Sequence, residues 1–123
     1  MSKAKHRSFL PWWIRRHLAW QDSRAALRAR DGDDCWLCHR PMRFGGPPNC
    51  GKAATIEHRL PVSKGGTDAL DNLVLCHVGC NRHLADHPPE QKERMRINRA
   101  AGFAGARAAG RYLRLAAEVR KRQ

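Results

Sequence analysis

Residues 55–81 read "TIEHRLPVSKGGTDALDNLVLCHVGCN", and the fold turns on how this stretch is read. Two short runs of aliphatic and β-branched residues predict strands, one ending near Glu57-His58 and the other starting near Asn72. Pro61 and the Gly65-Gly66 pair predict a glycine-rich loop between them, and a helix is expected to start near Gly79. A lone Glu-His pair is common and usually carries no chemistry, so the neighbouring segments decide what this one means.

Upstream, "CWLC" sets Cys35 and Cys38 at a Cys-x-x-Cys spacing, which lets two thiolates bind one tetrahedral ion from a tight knuckle. Downstream, "CHVGC" offers Cys76, His77 and Cys80. His77 and Cys80 have the same knuckle spacing, while Cys76 and Cys80 are one residue further apart. Two such knuckles predict a structural zinc site. A redox Cys-x-x-Cys would sit in a βαβ context, which the pattern lacks. Cys50, in "GGPPNCGK", has no partner at knuckle spacing.

The flanks are helical. In residues 9–30, Pro11 suits a first helical turn and Asp31-Gly32 a stop, and Trp12, Trp13 and Trp20 are expected to be packing residues, with base stacking by one of them or a docking surface as the alternatives. After Pro88-Pro89 a helix is predicted to run until Gly102 or Gly105 breaks it, with a second reaching about Lys121. On that second helix Ala109, Tyr112, Leu113, Ala116 and Val119 share one face, and Arg107, Arg111, Arg114 and Lys121 gather on the other. The expected organisation is one compact domain: residues 1–32 a basic, aromatic helix, 33–87 a Cys/His-dense core, and 88–123 basic helices.

At 123 residues, with a mean hydropathy of −0.69, the chain can build only a thin core, and a metal would supply the missing staple. Lys and Arg number 24 against 11 Asp and Glu, for a formal net charge of +13. That excess, mostly arginine, is the electrostatic footprint of a nucleic-acid binder. No apolar run approaches a membrane span and no signal-peptide core is present. The reading is a soluble, cytoplasmic protein, in which cysteines bind metal or stay reduced.

The ordered set Cys35-x-x-Cys38, Glu57-His58, Pro61, Gly65-Gly66, Asn72-Leu73 and Cys80-Asn81 resembles the HNH nuclease family of the ββα-metal fold, over residues 35 to about 84. The fold class implied is α+β: a small ββα-metal core stapled by zinc and flanked by N-terminal and C-terminal helices. The activity implied is metal-dependent endonuclease hydrolysis of DNA, with low sequence specificity for the isolated chain. His58 would be the general base, its ring fixed through the other nitrogen, most simply by a backbone carbonyl. If both lie in a strand, Glu57 and His58 point to opposite faces, although a twist at the strand end would bring both to one cleft. By the resemblance, Glu57 and Asn81 hold a catalytic Mg²⁺ or Mn²⁺ through hard oxygen ligands, and Asn72 ties the His-bearing loop to the second strand.

The sequence departs from the family pattern at three places. Glu57 stands where Asp is more frequent, and Asn81 where many members have His. The second knuckle begins at His77 rather than a Cys, which makes Cys35, Cys38, His77 and Cys80 the expected zinc set, with Cys76 as the substitute for His77. His83 and His87 are out of register with a further helix ligand, whose place is Ala85, and read as surface histidines. Arg59, Lys64 and Arg82 flank the expected site and, with Arg107, Arg111 and Arg114, are candidate phosphate contacts. The resemblance also implies DNA as partner and a phage or mobile-element setting with a packaging protein nearby. Two other classes stay open: a non-catalytic zinc-stapled DNA-binding or packaging factor, and a nuclease for branched DNA or RNA.

Overall fold

The computed structural model describes residues 9–47 and 50–122; along the last helix it covers only the backbone at 103–113, 115, 116, 120 and 122. The chain forms helix α1 (Trp12–Asp31), strands β1 (Ala54–His58) and β2 (Leu73–His77), helix α2 (Val78–Leu84) and helix α3 (Pro89–Arg122). This is an α+β arrangement. The strands pair antiparallel, in a register that sets Ala54 opposite His77, Ile56 opposite Leu75 and His58 opposite Leu73.

Local chemistry sets the boundaries. Pro11 precedes the first turn of α1, where its missing N–H costs nothing. Gly32 ends the helix at φ +83°, its N–H bonded to the Arg28 carbonyl at 2.8 Å. The β1–β2 connection contains single 3₁₀ turns at Val62–Lys64 and Leu70–Asn72. Each residue of the Gly65-Gly66 pair has its own role. Gly65 takes φ +93°, and a Cβ on Gly66 would collide with the Leu60 carbonyl oxygen.

The core is small and aliphatic. Leu27 of α1, Leu37 and Met42 of the connecting loops, Leu73 and Leu75 of β2, and Leu84 of α2 are buried together with Cys35, Cys38 and Cys76. Trp36, Phe44, Ile56 and Met95 pack against them. The bulkiest fully buried side chain is not apolar at all: it is Lys92 of α3.

The structure corrects two expectations. Trp12 and Trp13 are 66% and 60% exposed, because Leu27, near the far end of α1, is the buried residue of that helix. Trp20 lines a cleft, beside Phe44. The predicted break at Gly102 or Gly105 is absent, and α3 runs 34 residues through both. A mid-helix glycine costs only about 1 kcal/mol, and the surrounding Ala, Arg and Leu are strong helix formers. The apolar face expected at Ala109, Tyr112, Leu113 and Ala116 lies outside the described side chains, as do Arg107 and Arg111; Val119 is 55% exposed.

Candidate metal centre and active site

The loop after α1 and the start of α2 bring Cys35, Cys38, His77 and Cys80 together, with all four ligand atoms within 4.8 Å of one another. Cys38 Sγ lies 3.3 Å and Cys80 Sγ 3.8 Å from His77 Nδ1. The edges of a tetrahedral zinc site are ~3.5 Å for S···N and ~3.8 Å for S···S, so the group is already of that size. Its surroundings fit as well. His77 Nε2 donates to the Pro41 carbonyl at 3.0 Å, which leaves the Nδ1 lone pair facing the thiols. The His77 backbone N–H points at Cys35 Sγ at 3.4 Å. Burial, with the neighbouring thiols, raises the Cys35 thiol and pushes Cys80 up to about 12. A divalent cation removes that cost by drawing the protons off. These four residues could hold a zinc ion. Cys76 is not among them: neighbouring strand residues face opposite ways, and it is buried in the aliphatic core.

At the other end of β1, Glu57 and His58 do alternate. Glu57 turns inward and is 5% exposed. Its Oε1 accepts from Lys92 Nζ at 2.7 Å, and the same ammonium donates to the His58 carbonyl at 2.7 Å. Burial raises the Glu57 carboxyl above the ordinary range, and Lys92 opposes that rise. His58 turns outward, its side chain 29% exposed, with Nε2 2.7 Å from Asp68 Oδ1. A carboxylate thus takes the place expected for a backbone carbonyl, because the glycine turn folds Asp68 back over the strand end.

Asn72 does tie the loop to the second strand. Its Oδ1 accepts from the Leu60 N–H at 2.9 Å, while Nδ2 donates to the Leu60 and Thr67 carbonyls at 3.1 and 2.8 Å. Its own carbonyl accepts from the Arg59 N–H at 2.8 Å. Asn81, on α2, donates from Nδ2 to the Ile56 carbonyl at 3.1 Å, which leaves Oδ1 as the atom available to a cation. The Glu57 carboxylate and the Asn81 amide oxygen are hard donors of the type that suits Mg²⁺ or Mn²⁺, although Lys92 already pairs with the carboxylate.

Asn81 and Arg82 line a cleft of about 410 Å³ with Trp20, Arg24, Arg43 and Phe44. Among the described residues, no carboxylate lines it. Arg24 lies 5.3 Å from the Trp20 ring centre and 5.0 Å from that of Phe44. Lys64 and Arg114 are exposed, and Arg59 sits 3.9 Å from Glu93. His83 is on the surface and His87 half-buried. Cys50 is exposed, its thiol lowered by the neighbouring Lys52 backbone and the Arg43 side chain.

Sequence reasoning missed two residues. Asp68 carried a weak signal, as an acid two residues past the double glycine. Lys92 carried none, since a lysine early in a basic helix is ordinary and only docking reveals its burial.

Residues 35–87 match the family described as HNH endonuclease. That span contains the four candidate zinc ligands and Glu57, His58, Asn72 and Asn81, and the match indicates a nuclease-type function. No curated protein and no solved structure matches the chain. Among the described residues no helix is long and apolar enough to cross a membrane.

Proposed function

We propose that the chain is a metal-dependent endonuclease that hydrolyses DNA phosphodiester bonds with little sequence preference. The reading rests above all on His58, which lies within the HNH-matched span and presents a half-buried imidazole with one ring nitrogen engaged and the other free. His58 Nδ1 takes a proton from water as the water oxygen attacks phosphorus. The bond from phosphorus to the 3′-oxygen breaks, solvent protonates the departing oxygen, and the new end is a 5′-phosphate. Glu57 and Asn81 are the residues that would hold a Mg²⁺ or Mn²⁺ ion, which supplies Lewis-acid stabilisation of developing charge when bound. Zinc is structural in this reading and takes no part in the reaction. Arg59, Lys64 and Arg82 beside the site, with Arg107, Arg111 and Arg114 on α3, supply non-specific phosphate contacts whose strength falls steeply with salt.

A second reading is favoured by one observation. Lys92 neutralises Glu57, as would befit a zinc-stapled DNA-binding or packaging factor without catalysis. Supercoiled plasmid separates the two. The zinc-loaded wild type and His58→Ala are incubated with Mg²⁺, with Mn²⁺ or with no added ion. Nicking that needs the ion and vanishes in the variant supports the nuclease; binding without nicking in every condition supports the factor. Nicked, branched and RNA substrates in the same assay define the substrate form.

A further inference from the structure

We propose that Asp68 is the positioning residue for His58: its carboxylate holds the imidazole in one tautomer and one orientation, with Nδ1 free for the attacking water. The inference rests on the nuclease reading and extends it to a residue outside the motif.

The contact itself is short, with His58 Nε2 2.7 Å from Asp68 Oδ1. An ionised carboxylate only accepts hydrogen bonds, so in the neutral ring the proton sits on Nε2 and the lone pair on Nδ1. Nδ1 has no partner among the described residues. The loop is built to deliver this geometry. Asn72 bonds the Leu60 backbone on one side and the Thr67 carbonyl on the other, so a single side chain fixes the segments next to both His58 and Asp68. The turn closes so tightly that Gly66 has no room for a Cβ against the Leu60 carbonyl. Lys92 holds the His58 carbonyl, so the backbone and the ring of this residue are anchored separately.

The arrangement has a chemical consequence. When Nδ1 gains a proton from water the ring becomes an imidazolium, and the carboxylate on its other nitrogen stabilises that charge. Asp68 is 90% exposed, so solvent screens part of the effect. Loss of the orienting partner should cost less than loss of the base itself, whose contribution is roughly 10²- to 10⁴-fold. Exposure also means that substitution leaves the core intact.

The test has two arms on the full-length, zinc-loaded protein. Histidine-¹⁵N NMR at pH 8 reads the tautomer of His58, its signal assigned by loss in His58→Gln. The wild type and Asp68→Glu should show the proton on Nε2, and Asp68→Ala a mixture of tautomers. In plasmid nicking, Asp68→Ala should lower kcat at unchanged KM, and Asp68→Glu should restore much of the loss. An unaltered tautomer in Asp68→Ala, or a kcat equal to wild type, overturns the inference. The spectroscopic arm needs no turnover. A wild type that never nicks sinks the nuclease reading, while the tautomer shift still decides the role of Asp68.

Discussion

Lys92→Met probes the pair on which the inner face of the site depends. In the wild type both side chains are nearly sealed from solvent, at 1% for Lys92 and 6% for Glu57. Removing the ammonium leaves a buried carboxylate without a cation and the His58 carbonyl without a donor. Removing one partner of a buried ion pair costs about 3–5 kcal/mol. The cost depends on pH in a definite direction. Burial already raises the Glu57 carboxyl above its unfolded value, so its stabilising contribution is complete at low pH and lost as pH rises through the folded value. Without Lys92 the carboxyl rises further. Lower pH therefore favours the protonated carboxyl, so the penalty should be smaller at pH 5.5 than at pH 8 and tend toward that of unmade hydrogen bonds, about 1–3 kcal/mol. At pH 8 the full penalty applies. Urea unfolding followed by circular dichroism, with zinc saturating, measures both. Glu57→Leu with Lys92→Met removes both charges and should recover most of the loss, since apolar replacement of a buried pair is often neutral or stabilising. A penalty below about 1 kcal/mol at pH 8, or the same penalty at both pH values, would refute the reasoning.

The remaining predictions concern the staple and the loop. Because the Cys35 and Cys80 thiols are raised and carry protons at neutral pH, zinc uptake should release at least these two, and affinity should climb steeply from pH 6 to pH 8 in a chelator competition. Native mass spectrometry should find one zinc per chain in the wild type and none after Cys38→Ser, with Cys76→Ser still loaded. Gly66→Ala forces a methyl group against the Leu60 carbonyl and should cost about 1–3 kcal/mol, read by thermal unfolding; a wild-type Tm would show that the turn has slack. Asn72→Ala deletes three hydrogen bonds of about 1 kcal/mol each and should both destabilise the fold and slow nicking, whereas Asn72 variants with full activity would show that the loop holds itself.

What the sequence revealed depended on range. The strand ends at His58 and near Asn72, the stop at Gly32 and the zinc set were legible because each is written in contiguous residues or fixed spacings. That Glu57 and His58 face opposite ways followed from strand alternation; which of the two turns inward did not. What escaped depends on docking. No pattern within α3 marks Lys92, because its burial comes from a strand 34 positions upstream. The exposure of Trp12 and Trp13 was hidden for the opposite reason: aromatic residues on a helix signal packing only where a partner surface reaches them, and the core ends near Leu27. The continuity of α3 shows a weak local penalty, one glycine, outvoted by the propensity of its neighbours.

That uninterrupted helix also bears on reach. Thirty-four residues at 1.5 Å each span ~51 Å, equal to about fifteen base-pair steps at 3.4 Å. Lys92 sits near one end of this span, against Glu57 and His58, and basic residues recur to the other end. A duplex gripped along the helix would be covered far to one side of the cut and little to the other. Protection from a chemical cleavage reagent should therefore be lopsided about the scissile phosphate, and removal of residues 103–123 should shorten it on that long side alone.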